Sequence, residues 1–179
     1  PISAISDDET AAVYAARDIV YYEEGQGVAY GAGTDADAHS QEEADAHIVV
    51  HITQPGTYTL SGTLSAGQIA VDLGDGAEED PEAVVTIVLD GVDITCTVAP
   101  AIIFYRVYEC GSADMETATQ TVDTSAAGAN VVIADGTENR VTGSHVAKIY
   151  KPESVTLNAD GTAVEEAKKL HKYDGALYS

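Results

Sequence analysis

The chain repeats one short unit: an apolar β-prone run, then Asp-Gly, then a second short β run. Val88-Leu-Asp-Gly-Val-Asp-Ile94 is matched by Ile133-Ala-Asp-Gly-Thr-Glu-Asn-Arg-Val141, and more loosely by Leu157-Asn-Ala-Asp-Gly161. Within these three copies Asp-Gly begins at 90, 135 and 160, steps of 45 and 25 residues. Such steps suit stacked coils of about twenty residues or slightly more, with glycine supplying a left-handed corner. Asp-Gly also closes ordinary hairpins, so the type of strand has to arbitrate. Sandwich strands alternate apolar and polar residues because one face is solvated. Val84–Leu89 and Val131–Ala134 are nearly continuous apolar runs, as in strands of a parallel sheet covered on both faces. The pattern therefore predicts an all-β fold, and within it a right-handed parallel β-helix.

The repeat does not extend over the whole chain. Residues 47–179 read as short β runs separated by turns, with Pro55-Gly56, the acidic loop Gly74–Glu82 and the Thr/Ala-rich loop Gly111–Gly128 between them. Residues 1–46 read as an irregular N-terminal cap or linker. Within it Thr10–Arg17 is Ala-rich and predicts a helical turn or two capped by Asp7 or Asp8, and Asp35–Asp45 predicts an exposed acidic loop. Near the other end, Val164–Leu170 reads as a short helix with a Glu165–Lys169 pair.

Charge narrows the partners. The net charge is -22, and residues 1–100 carry nineteen acids against a single base, Arg17. Such a surface repels a phosphate backbone and an anionic lipid surface, so no nucleic acid and no membrane insertion are expected. No apolar run approaches the ~20 residues of a membrane span. One Phe, no Trp and many Val, Ile and Ala suit thin cores between stacked short strands. The two cysteines, Cys96 and Cys110, lack the spacing of a zinc or redox site. In an acidic, turn-rich chain they read as a disulfide of an exported protein.

Gly56-Thr-Tyr-Thr-Leu-Ser-Gly-Thr-Leu-Ser65, Gly67-Gln-Ile-Ala-Val71 and Val85-Thr-Ile-Val-Leu-Asp-Gly-Val-Asp-Ile-Thr95 resemble the opening coils of the carbohydrate-binding β-helix family of clostridial cell-surface proteins. That family is similar in fold to polysaccharide lyases. The likeness runs on through Ala99-Pro-Ala-Ile102 and Ala134-Asp-Gly-Thr-Glu-Asn139 to Gly175-Ala-Leu-Tyr178. It implies a calcium-bearing, extracellular module that binds cellulose-like or pectin-like polysaccharide. The family continues beyond Gly-Ala-Leu-Tyr. The resemblance thus implies a fragment, or a subunit whose C-terminal edge is covered by more coils or by self-association.

Candidate site residues follow from the chemistry each ligand needs. Calcium takes several oxygen ligands, and stacked coils are expected to bring Asp72 next to Asp90 and Asp93. Sugars offer an apolar ring face and a rim of hydroxyls, which points to Tyr105, Arg106 and Tyr108. Strict strand alternation would put Phe104, Arg106 and Tyr108 on one face, with Tyr105 and Val107 on the other. His39, His47 and His51 read as packing residues before metal ligands. Lys168, Lys169, His171 and Lys172 are the candidate bases of a lyase, yet a salt-laced surface helix accounts for them more economically. No nucleophile elbow or phosphate loop is present in the sequence. The leading expectation is a non-catalytic polysaccharide-binding or adhesion module. The alternatives are a surface subunit that assembles through strand edges and a calcium-dependent lyase.

Overall fold

A computed structural model describes residues 6–19, 39–111, 116, 121–144 and 175–179. The elements are β1 (Val13–Ala16), α1 (Gln41–Asp45), β2 (Ile48–Ile52), β3 (Gly56–Leu64), β4 (Gly67–Asp72), β5 (Val85–Thr95), β6 (Ile102–Arg106), β7 (Ala129–Ile133), β8 (Arg140–Thr142) and β9 (Leu177–Tyr178). Strands dominate. They form a five-stranded sheet in the order β1-β2-β4-β6-β9 and a second sheet in which β5 lies between β3 and β7, with β8 also on β5.

The predicted parallel β-helix is corrected by this arrangement. The first sheet is mixed: β1 runs antiparallel to β2, while β2, β4, β6 and β9 pair in parallel. The described strands form two separate sheets and no closed solenoid. The antiparallel edge comes from Val13–Ala16, which the Ala-rich sequence assigns to helix. Intrinsic propensity, even alanine's, is easily outweighed by tertiary context, and here pairing with Val49–Ile52 overrides it. Asp8 still caps, but it caps a turn: its Oδ1 accepts from the Thr10 amide at 3.0 Å and the Thr10 hydroxyl at 2.7 Å. The expected acidic loop likewise contains α1, whose Ser40 Oγ accepts from the Glu43 amide at 3.1 Å.

The second sheet carries the repeat. Val85–Leu89 pairs residue by residue with Ala129–Ile133, and Asp93–Thr95 with Arg140–Thr142. Asp90-Gly91 and Asp135-Gly136 thus occupy equivalent bends, with φ at the glycines of 74° and 75°. Gly91 lies inside β5 and bends it without ending it. Asn139 ties the levels together, its Oδ1 accepting from the Gly91 and Val92 amides at 2.9 and 3.0 Å. The Asp160-Gly161 copy and the 164–170 helix lie outside the described residues.

The core is built from both sheets. Val50, Ile52, Ile69, Val71, Ile102 and Phe104 of the first and Val85, Ile87, Leu89, Val92 and Ile94 of the second belong to one buried cluster. Val85, Ile87 and Leu89 are alternate residues of β5, one face of a strand.

Candidate functional site

The register of the first sheet decides which side chains meet on the face opposite Val50, Ile52, Val71 and Phe104. Tyr14, His51, Ala70, Ile103 and Tyr178 are register partners across β1, β2, β4, β6 and β9. Asp72 follows Ala70 by two residues and shares its face. The next step is irregular: Val71 pairs with Phe104 but Asp72 pairs with Arg106, leaving Tyr105 as an extra residue on β6. Such a bulge turns two consecutive side chains the same way. Phe104 and Val107 are accordingly buried, at 5% and 6% exposure, while Tyr105 and Arg106 between them are half-buried. The strict alternation expected from sequence is thus corrected, because it carries no residue of slack for the bulge. Tyr108 lies past the end of β6, where its amide donates to the Ala83 carbonyl at 2.9 Å.

Two polar groupings stand on this face. Arg106 grips Asp72 with a fork, Nε to Oδ1 at 2.6 Å and Nη2 to Oδ2 at 2.8 Å, and Nη1 donates to Asp75. Hydrogen bonding to Asp72 is the main reason the guanidinium is held above its ordinary pKa. Three of its five N–H donors are thereby used and two remain. On the neighbouring strands Tyr14 stacks on His51 with ring centroids 4.5 Å apart and planes 12° apart. His51 Nε2 lies 2.9 Å from Asp18 Oδ1. Burial, followed by the charges of Asp18, Glu9 and Asp72, raises the Tyr14 phenol. It therefore stays a neutral hydroxyl at physiological pH. Ala70 and Ile103 belong to the buried core, so what remains on this face is a half-buried rim of Tyr14, His51, Asp72, Tyr105 and Arg106, with Asp75 exposed beside it.

The rim is only partly the site expected from sequence. Tyr105 and Arg106 belong to it, and Tyr108 does not share their strand. Tyr14 and His51 were not foreseen as partners. Their signal is the β-branched run that follows His47, which needs an edge partner on the side where Val13-Tyr14 pairs.

The expected calcium ligands are not brought together. Asp72 closes β4 in the first sheet with both carboxylate oxygens on Arg106, whereas Asp90 and Asp93 are exposed on β5 of the second. Among the described residues no group of three or more His, Cys, Asp or Glu side chains is placed to hold a metal. His47 is buried and has both ring nitrogens engaged. Nε2 accepts from the Thr97 amide at 3.1 Å, which places the proton on Nδ1, 2.8 Å from the Glu43 carbonyl. It is a packing residue, as expected.

The expected Cys96–Cys110 bridge is corrected: both are free thiols. Cys96 is buried just after β5, Cys110 lies beyond the far end of β6, and the five residues of β6 run between them. A strand of that length spans roughly 17 Å, whereas bridged Cα atoms sit within about 7 Å. Burial also pushes the Cys96 thiol up in pKa. A thiol reagent is expected to label Cys110 in the folded protein and Cys96 only after unfolding. Absence of any titratable thiol in the unfolded, unreduced chain would restore the bridge.

The class these features define is a strand-rich, two-sheet domain with an aromatic and hydrogen-bonding rim on one sheet. Residues 46–172 match the model of a family described as carbohydrate-binding domain-containing protein, and the chain belongs to that family. A carbohydrate-binding domain-containing protein of Acetivibrio thermocellus is 56% identical over 48 residues, 27% of this chain and 15% of the relative's length. No solved structure matches the chain.

Proposed function

We propose that the protein is an extracellular, non-catalytic module that binds polysaccharide at the half-buried rim of its first sheet. The observation that carries this reading is the juxtaposition of the Tyr14–His51 stack with the Asp72–Arg106–Asp75 grouping, in a chain of a carbohydrate-binding family. A sugar presents C–H groups on its ring faces and hydroxyls, each both donor and acceptor, around its edge. The stacked rings suit the first. The guanidinium's two remaining donors and the carboxylates' remaining lone pairs suit the second. The Arg106 fork is held on both sides, so little side-chain freedom is lost when a ligand arrives. The acidic composition is in keeping with an exported protein.

Pull-down on insoluble polysaccharides, followed by calorimetry on soluble fragments, tests the reading. Tyr14→Leu is expected to lower affinity by about tenfold or more, in the range of a central aromatic contact, with the fold retained by circular dichroism. Incubation with pectate is expected to release no unsaturated uronides. Full binding by Tyr14→Leu and Arg106→Gln would move the ligand to another surface. Release of unsaturated products would establish a lyase.

A further inference from the structure

The charges around the rim carry a conclusion about the class of glycan, one that rests on the proposed binding site. Arg106 is the base of the rim, and its charge is already committed. Asp72 takes two of its donors and Asp75 a third, with Glu78 adding to the negative field. Arg17, next to β1, turns to the Asp45 carbonyl at 2.6 Å. On the Tyr14 side the acting charges come from Asp18, Glu9 and Asp72. Asp75 is fully exposed, so its carboxylate faces any ligand that approaches Arg106.

We infer that the rim selects neutral, hydroxyl-bearing glycans and rejects carboxylate-bearing ones. A hydroxyl can accept from the spare Arg106 donors and donate to Asp72 or Asp75 in the same pose. A sugar carboxylate can only accept. It would bring a third carboxylate to a guanidinium that already serves two, and like charges set side by side disfavour the wrong partner strongly. Salt does little to hide this repulsion. At physiological ionic strength screening acts over about 8 Å, farther than a ligand hydrogen-bonded to Arg106 sits from Asp75. The overall charge of -22 acts in the same direction from greater distances, where screening is effective.

The test uses two pairs of polysaccharides that share a backbone and differ in charge: polygalacturonate against its full methyl ester, and carboxymethylcellulose against cellulose oligomers. Affinities are measured with the full chain at physiological ionic strength and with a chelator present. In each pair that binds, the neutral member is expected to bind about tenfold tighter or more. Asp75→Asn is expected to narrow that gap about threefold, read as the ratio of the charged and neutral affinities measured on the same variant. Equal or tighter binding of the charged members overturns the inference and leaves the proposed function standing. A gap that Asp75→Asn does not change overturns the local origin and assigns discrimination to the chain's overall charge. Binding of no member of either pair removes the proposed function, and this selectivity with it.

Discussion

Gly128→Ala is expected to lose more stability than any other single added methyl in the second sheet, at or above the upper end of the ~1–3 kcal/mol typical of overpacking. A Cβ at this position would stand 2.4 Å from the Tyr108 nitrogen and 2.8 Å from the carbonyl oxygens of Ala83 and Tyr108. All three are backbone atoms, so no side chain can swing aside. They also belong to hydrogen bonds that the glycine itself completes. The Gly128 amide donates to the Tyr108 carbonyl at 3.0 Å, and its carbonyl accepts from the Val85 amide at 2.8 Å. Tyr108 in turn donates to Ala83 at 2.9 Å. The close approach seats the start of β7 against β5, so relief of the clash must lift the register that begins at Val85–Ala129. Thermal unfolding checks this, with a fall in midpoint of about 6–12 °C for a chain of this size. A change below about 2 °C would show that β7 starts elsewhere. Gly91→Ala makes a useful contrast: its added methyl meets nothing within 4 Å, and the cost there is confined to a backbone φ of 74°.

How far the sequence reveals this fold depends on whether a feature is local. The 45-residue step between Asp-Gly pairs becomes the parallel stacking of β5 with β7 and β8, because glycine's backbone freedom is a local property that two copies share. Ser61-Gly62 occupies the same bend one level away, with φ of 94° at Gly62 and a register shift beside it. It lacks the Asp and so escapes a search for Asp-Gly. Ser40 followed by Glu43 is a readable helix start, outweighed in the expectation by the acidic, Ala-rich run around it. β1 was not legible, since Val-Tyr-Ala-Ala becomes a strand only through pairing with residues more than thirty positions away. The bulge at Tyr105 was not legible either. It decides that Tyr105 and Arg106 reach the same rim, yet an inserted residue leaves no mark in the composition of Ile-Ile-Phe-Tyr-Arg. The closed solenoid failed for a related reason: repeat spacing reports which strands stack, and not whether the stacks join into a tube.

Ile87→Ala is expected to cost about 2–5 kcal/mol, whereas Val131→Ala, one level along the same column, is expected to cost about 1 kcal/mol. Tyr58, Ile87 and Val131 are register partners across β3, β5 and β7, so the three side chains face the core in a single row. Ile87 is the middle one and has no exposure at all, while Val131 retains 38%. Beyond it in the second sheet Ile133 is 65% exposed, and in the first sheet Leu177 is 44% exposed. Phe104, Val131 and Leu177 line an open cavity of about 280 Å³ between the sheets. Removing atoms from Ile87 leaves a hole that neighbours above and below cannot fill, and the cost grows with the volume left empty. Removing them from Val131 enlarges a cavity that is already open, so only the transfer of the lost methyls is forfeited. Parallel urea titrations of the two variants measure the difference directly. Equal losses would mean that the core is closed at β7, and that Val131 is packed as tightly as Ile87. Both substitutions lie in the second sheet, away from the rim of the first. Binding by the folded fraction is therefore expected to be unchanged in each, which separates damage to the core from damage to the ligand surface.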